Sequence, residues 1–267
     1  MVIFTSLKPS TGAAAEIQRR SLENWRQCFP ESRIITFEGP LVPFREMVEK
    51  VERETDADIL MYANGDVLFE VGNVLTLIPR PKAVRGADAL AGVRRRDSEY
   101  TEILSREKGF LLTGQRVDIL ADGTKRLHRP SGMDYFVFRR GMFHDLPKVS
   151  MGRAYCDSAL VAYCLKKGIP VIDASFALRV EHQFHDYGHV KGGRTMVWQG
   201  EEAQSNKLNN QLRDFGPHVL DATHTLLPDG MVVGNIRKRP RCWRLWHLVT
   251  RGGKWWKNPR WDGVRGI

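Results

Sequence analysis

Acidic side chains stand at several points where an apolar segment begins or ends, and the first of them is Asp66. It closes the tripeptide Asn64-Gly65-Asp66, which directly follows the apolar run Ile59–Ala63. Ligands of open α/β sheets bind beyond the carboxyl ends of strands. We therefore expect an exposed acid there that holds Mg²⁺ or Mn²⁺ together with phosphate oxygens of a substrate. A simple turn is the competing interpretation, because Asn-Gly is a common turn dipeptide.

Two further acids stand at the entrances of later elements. Asp134 precedes the apolar run Tyr135–Phe138, and Asp157 opens a helical pattern that extends to Lys167. A carboxylate that is held beside a hydroxyl group can accept its proton, so both acids are candidates for acid–base catalysis. Capping explains Asp157 equally well, because an acid at a helix N-terminus interacts favourably with the helix dipole.

Three histidines and one acid lie within eight residues in His182-Gln-Phe-His185-Asp-Tyr-Gly-His189. A single histidine is usually structural, whereas a group this dense favours a metal or phosphate site. The spacing alone leaves the structural interpretation open.

The elements that must position these residues alternate between strands and helices, which is typical of βαβ units and a mainly parallel sheet. In the first part of the chain we predict strands over 1–6, 32–37 and 59–63, with helices over 13–28 and from residue 44 to about 51. Further on we predict strands over 89–93, 110–113, 135–138, 170–173 and 176–180, with a helix over 157–167.

Composition excludes several classes of protein. Apolar residues make up 42% and charged residues 27% of the 267 positions, which excludes a wholly disordered or collagen-like chain. No apolar run approaches the roughly 18 residues that span a bilayer, and the N-terminus lacks the pattern of a secretory signal. The four cysteines are scattered without a C-x-x-C pair, so we expect a cytoplasmic protein without a disulfide framework.

Positive charge is concentrated near the C-terminus. Residues 235–267 hold ten Lys and Arg against one acid, and five of the seven tryptophans, while residues 1–234 are almost neutral. We predict a catalytic domain over 1–235 and a basic, Trp-rich tail over 236–267. The tail suits an interfacial helix near 241–250 on an anionic membrane, a nucleic-acid backbone with stacked bases, or a disordered solubilising segment.

The ordered set of motifs resembles the GT-A class of nucleotide-sugar glycosyltransferases, in particular small bacterial and plant proteins described as nucleotide-diphospho-sugar transferase-like. The segments that carry the resemblance are Thr5–Pro9, Ile17–Trp25, Asn64–Val67, Thr113–Arg116, Ser131–Phe136, Gly152–Asp157, Gly168–Ala174, His182–His189 and Asp221–His224. The resemblance covers roughly residues 1–235. It implies an α/β fold of the GT-A-like, Rossmann type, with a mixed sheet flanked by helices and followed by the basic extension.

The resemblance also implies residue roles at the donor side of the site. Thr5 and Ser6 match the segment that contacts the nucleotide base and ribose. Asp66 matches the last acid of the D-x-D metal motif, and Asn64 replaces the first acid. The late histidine that completes the metal and diphosphate site corresponds to His182 or His185. The Thr113–Arg116 segment adds Gln115 and Arg116 as donor-binding residues, with Arg116 or His185 stabilising the leaving phosphate.

At the acceptor side, Asp157 matches the general base of inverting members, and Asp134 is the second candidate catalytic acid. We therefore expect transfer of a sugar from a nucleotide sugar, most simply a uridine diphosphate sugar, to a hydroxyl acceptor in cell-envelope polysaccharide synthesis. The protein would then be peripheral to the inner face of the membrane. The alternatives are glycosylation of modified DNA bases and, from another class, a nucleic-acid-binding module with a degenerate transferase-like domain.

Overall fold

Parallel strands alternate with helices over the first seventy residues. The computed structural model describes residues 1–8, 11–38, 41–70, 109–186, 190–228, 230 and 232–237. Its first elements are β1 (Val2–Leu7), α1 (Ala13–Cys28), β2 (Arg33–Glu38), α2 (Phe44–Glu54) and β3 (Ile59–Ala63). Apolar residues of α2 recur at helical spacing, so the helix buries one stripe that includes Met47, Val48 and Val51.

The main sheet has eight strands in the order β12-β11-β9-β5-β8-β3-β1-β2. Its later strands are β5 (Leu111–Thr113), β8 (Tyr135–Arg139), β9 (Val171–Asp173), β11 (His224–Leu226) and β12 (Val232–Gly234). Only β8 and β12 run antiparallel to their neighbours in this sheet. The other strands therefore end at one common edge, called the carboxyl edge below.

A second, four-stranded sheet lies next to this edge in the order β4-β10-β6-β7. Its strands are β4 (Val67–Phe69), β6 (Val117–Ile119), β7 (Lys125–Leu127) and β10 (Val180–His182). Because β4 follows β3 after three residues and β6 follows β5 after three residues, the chain leads from the carboxyl edge directly into the small sheet.

Helices cover both faces of the main sheet. The remaining helices are α3 (Cys156–Lys166), α4 (Gly193–Gln199) and α5 (Glu201–Asn209), with a 3₁₀ turn at Val219–Asp221. Successive residues of a strand point to opposite faces, so Phe4 joins one apolar cluster with Phe44 of α2, and Ile3 joins the other with Trp25 of α1. An eight-stranded mixed sheet flanked by helices confirms the predicted α/β class and agrees with a GT-A-like fold.

The structure corrects the strand predicted over 176–180. The amides of Ala177 and Leu178 both donate to the carbonyl of Ala174, at 2.9 and 2.8 Å, which forms a tight turn. Ala177 and Leu178, which suggested a strand, are buried within this turn, and β10 begins only at Val180. The strand predicted over 89–93 and the helix predicted near 241–250 lie outside the described residues. No helix in the described ranges has the length and apolar character of a membrane span.

Candidate functional site

Asp66 lies immediately beyond β3 at the carboxyl edge, and only 5% of it is exposed. The sequence predicted an exposed acid, and that detail is wrong. Strand β10 pairs with β4 and aligns His182 with Val67, and the amide of Gln183 donates to the Asp66 carbonyl at 2.9 Å. This pairing brings the histidine segment over the carboxylate and buries it.

Three basic side chains surround the Asp66 carboxylate. Oδ2 lies 3.0 Å from His185 Nε2 and 3.1 Å from Lys8 Nζ, and Oδ1 lies 3.6 Å from His182 Nε2. Burial opposes ionisation of Asp66, but the charges of Lys8 and His182 and the hydrogen bond with His185 outweigh it and hold its pKa well below the usual range. The site therefore contains an ionised carboxylate at neutral pH.

The two imidazoles have different environments. Burial lowers the pKa of His182, whereas the hydrogen bond to Asp66 raises the pKa of His185. One ring nitrogen of each histidine and a carboxylate oxygen of Asp66 lie within 4.8 Å of one another. The buried Oδ1 atom of Asp66 has no hydrogen-bond partner among the described residues, so it is available to a donor or a cation.

These observations fit a divalent cation. Two imidazoles and one carboxylate suit a transition-metal ion better than Mg²⁺, which prefers oxygen ligands. The sequence had singled out all three residues, and the structure brings them together. The third histidine of the motif, His189, lies outside the described residues.

Gln183 anchors the histidine segment to helix α1. Its side chain is buried, and its Nε2 atom lies 2.9 Å from Ser21 Oγ and donates to the Ile17 carbonyl at 3.1 Å. The histidines on either side of Gln183 are therefore held over Asp66 by a fixed backbone. The sequence pattern gave no indication of this role.

A second polar network begins at Asn64 and lies beside the first. The Asn64 amide nitrogen Nδ2 donates to Asp134 Oδ1 at 2.9 Å, and its backbone N–H donates to the Asp134 carbonyl at 2.9 Å. Arg116 Nη1 contacts both carboxylate oxygens of Asp134 at 2.9 Å. Asp134 is 2% exposed, and both of its carboxylate oxygens accept hydrogen bonds from protein donors.

Arg116 likewise has protein contacts at all three of its guanidinium nitrogens. Its Nε donates to Asp118 Oδ1 at 2.9 Å, and its Nη2 lies 3.4 Å from His128 Nδ1, which in turn lies 2.6 Å from Asp118 Oδ2. Burial opposes its charge, but the two carboxylates outweigh burial and raise the pKa of Arg116 further. Its predicted role at a phosphate stays a prediction, and the geometry shows Arg116 holding Asp134.

Asp157 stands in the first turn of α3 and does not cap the helix. The N-cap is Tyr155, whose φ of 69° is unusual for a residue with a side chain, and no side chain bonds the first amides. Cys156 Sγ lies 3.2 Å from Asp157 Oδ1, and the Met133 amide lies 3.4 Å from Oδ2. Burial and the charge of Asp134 raise the pKa of Asp157 to about 7.

The predicted donor-binding residues Thr5, Ser6 and Gln115 also lie at the carboxyl edge. Thr5 is fully buried near the end of β1 and its hydroxyl has no hydrogen-bond partner, while Ser6 is half-buried. Gln115 is used within the protein, because its Nε2 donates to the His128 carbonyl and its Oε1 accepts from Arg237. Their contacts with a donor remain predictions.

Two basic residues of the edge were missed by the sequence analysis. Lys8 contacts Asp66, and Arg237 Nη1 lies 2.9 Å from Asp173 Oδ2 at the end of β9. Lys8 could have been identified from its position, because it directly follows the first strand of an α/β sheet and ligands bind at that end of the strands. Arg237 was hidden among the other basic residues of the tail.

Comparisons with known proteins give little further information. No protein-family model matches the sequence, and no curated protein matches it. One similar solved structure is a glycosyltransferase involved in the glycosylation of the major capsid of PBCV-1. It is 9% identical, the match covers 63% of this chain and 68% of that chain, and the TM-score is 0.28. The functional argument therefore rests on the geometry of the site.

Proposed function

We propose that this protein is a glycosyltransferase that moves a sugar from a nucleoside-diphosphate donor to a hydroxyl acceptor. The observation that carries the proposal is the meeting of two different groups at the carboxyl edge. One is the buried Asp66–His182–His185 cluster, which suits a cation and a diphosphate. The other is Asp157, a carboxylate whose pKa is raised in part by the charge of Asp134, which in turn accepts a hydrogen bond from Asn64, two residues before Asp66.

Asp66, His182 and His185 would hold the cation, and we propose Mn²⁺, the transition metal of the two cations expected from the sequence, because two imidazoles suit a transition metal better than Mg²⁺. A bound cation supplies positive charge that neutralises the diphosphate as it leaves. The burial of Asp66 keeps water away from this carboxylate, which strengthens its interactions with charged groups.

Asp157 is proposed as the general base. As the acceptor oxygen forms a bond with the anomeric carbon, the bond from that carbon to the diphosphate oxygen breaks, and its electron pair leaves with the diphosphate. The acceptor proton passes to Asp157. A base works best when its pKa lies near the working pH, and the value of about 7 meets this condition.

The donor and the acceptor follow from the sequence expectations. We propose that Thr5 and Ser6, near the end of β1, contact the base and ribose of the donor, and that the donor is a uridine diphosphate sugar. For the acceptor we propose a growing cell-envelope polysaccharide at the inner face of the membrane, with the basic tail on anionic lipid. Modified DNA remains the alternative acceptor, because the same tail charge would bind its backbone.

A panel of nucleotide sugars tests this function. Purified protein is mixed with each sugar and Mn²⁺ or Mg²⁺, and release of the nucleoside diphosphate is measured. We expect hydrolysis of at least one donor with Mn²⁺, and loss of it in Asp66→Asn. The exposed acid Asp56, before β3, gives the matched control Asp56→Asn, which should behave as wild type.

Two results would oppose the proposal. Absence of turnover and of thermal stabilisation with every donor would remove the transferase assignment. Nucleic-acid binding that survives Asp66→Asn and Asp157→Asn would favour the binding-module alternative.

A further inference from the structure

Among the described side chains at the Asp66 carboxylate, only Lys8 is not a potential metal ligand. Its Nζ lies 3.1 Å from Asp66 Oδ2, the same oxygen that His185 Nε2 approaches at 3.0 Å. The ion pair is sheltered on one side only, because 7% of the Asp66 side chain and 34% of the Lys8 side chain are exposed. The ammonium group can therefore turn from the carboxylate towards solvent or a ligand.

The backbone of Lys8 is fixed although its side chain is not. The Lys8 N–H donates to Gln18 Oε1 at 2.8 Å, and Gln18 Nε2 donates to the Lys8 carbonyl at 3.1 Å. Gly65 permits the close approach of this segment, because a Cβ atom there would lie 3.1 Å from Leu7 Cδ2. The segment after β1 is thus held against the loop that carries Asp66.

The charges of the site show what Lys8 can do. A divalent cation beside Asp66 and the ammonium of Lys8 would leave an excess of about two positive charges, since the carboxylate neutralises only one. Arg116, the basic residue first expected at a phosphate, already faces Asp134 and Asp118. The excess at Lys8 and Asp66 matches an anion such as a diphosphate.

We propose that Lys8 is a diphosphate-binding residue that competes with the cation for Asp66 when no donor is present. With the cation and the donor bound, the ammonium of Lys8 leaves Asp66 and pairs with the diphosphate oxygens. This inference rests on the proposed function. It assigns to Lys8 opposite effects on the binding of the two ligands.

Calorimetry on the full chain separates these effects. Mn²⁺ is titrated alone, and UDP, GDP, CDP and ADP are then titrated at saturating Mn²⁺. In Lys8→Met we expect Mn²⁺ alone to bind a few-fold more tightly, because a competing positive charge is gone. We expect the nucleoside diphosphate that wild type binds best to bind about ten-fold more weakly, because a charge-assisted hydrogen bond is lost.

Two variants serve as controls. Lys125→Met removes another lysine of an ion pair, 2.7 Å from Glu181 in the small sheet, and should change neither titration. Lys8→Arg retains the charge and should restore most of the nucleotide affinity. Circular dichroism and the melting temperature establish that each variant is folded.

The outcomes separate the two proposals. If wild type binds none of the four nucleotides with Mn²⁺, the proposed function is overturned, and the role of Lys8 with it. If wild type binds one of them and Lys8→Met leaves both titrations unchanged, or weakens both, only the role of Lys8 is overturned. Tighter Mn²⁺ binding together with weaker nucleotide binding supports it.

Discussion

Asp134 and Asp157 are two carboxylates whose surroundings differ in kind. Asp134 receives Asn64 and Arg116 on its oxygens, whereas Asp157, within the described part of the chain, receives only a thiol and a long contact from a backbone amide. A carboxylate that is partly removed from water, with weak donors and a negative neighbour, holds its proton more tightly. This contrast supports the proposed proton transfer at Asp157 and a positioning role for Asp134 towards Asn64 and Arg116.

The raised pKa of Asp157 has a consequence for stability. The value rises from 3.8 to about 7, so the folded protein keeps a proton between these pH values that the unfolded chain has released. Stability therefore falls as pH rises through this window and stays reduced above it. The group proposed as the general base thus lowers the free energy of unfolding at neutral pH.

Asp157→Asn should therefore separate activity from stability. We expect turnover to fall by about 10²-fold or more, because the proton acceptor is lost, while nucleotide affinity stays nearly unchanged. We also expect a higher melting temperature than wild type at pH 8 and a smaller difference at pH 4. Unchanged turnover, or a lower melting temperature at pH 8, would contradict the role given to Asp157.

Asp134→Asn should have a different signature. Arg116 would lose a buried partner, which lowers stability by about 3 kcal/mol. The pKa of Asp157 should fall because the nearby negative charge is gone, so the acid limb of the pH–rate profile should move to lower pH. Chemical denaturation and a pH–rate series measure the two effects. A shift of the limb to higher pH would contradict the coupling.

The sequence identified most of these residues but not their burial. The position of Asp66 after an apolar strand and the density of histidines in 182–189 each suggested a metal role, the resemblance joined them, and the structure places Asp66, His182 and His185 together. Burial of Asp66 depends on the pairing of β10 with β4, which joins segments more than a hundred residues apart. Lys8 was missed because a single lysine carries no pattern of its own.

At the scale of elements, long and periodic segments were predictable. Helices α1 and α3 and strands β1, β3 and β8 lie within one residue of their predicted bounds, because each buries an apolar face. Helix α2 begins at its predicted residue but extends to Glu54, three residues beyond the predicted end. Helix α5 was missed because its buried residues are Ala203 and Asn206, which form no apolar stripe. Strands β6 and β7 were missed because each has only three residues and neither is fully buried.

The contact between α1 and the segment after β10 is expected to govern the metal site. Gln183→Ala removes the donor to Ser21 and Ile17, and we expect a loss of stability of about 1–3 kcal/mol. Mn²⁺ affinity should fall because both flanking histidines lose their fixed positions. Gln199→Ala, at the exposed end of α4, is the matched control and should change neither. Calorimetry gives the affinity, and Mn²⁺ binding equal to wild type would show that the anchor is not needed.

At the scale of the whole molecule, the last described residue, Arg237, places its guanidinium group at the carboxyl edge. Arg237 lies with its guanidinium carbon 5.7 Å from the centre of the Phe176 ring, and its Nη1 pairs with Asp173, which is fully buried.

Removal of residues 238–267 should separate the extension from catalysis. The truncation must keep Arg237, because an unpaired buried Asp173 would destabilise the fold by about 3–5 kcal/mol. With Arg237 present we expect wild-type stability and wild-type hydrolysis of the donor. Truncation at residue 236 is the comparison, and it should lower the melting temperature by several degrees.

The same truncation should abolish binding to anionic surfaces. Nine Lys and Arg residues lie in 238–267, and each adds about 1 kcal/mol near an anionic membrane, which gives strong and salt-sensitive binding. Nucleic acid would also give salt-sensitive binding, so salt dependence alone does not identify the partner.

Flotation with phosphatidylserine vesicles is therefore compared with DNA and RNA gel shifts at physiological salt. Vesicle binding with a blue shift of tryptophan emission supports the membrane acceptor, because inserted indole rings leave water. Binding of nucleic acid without binding of vesicles would favour modified DNA as the acceptor.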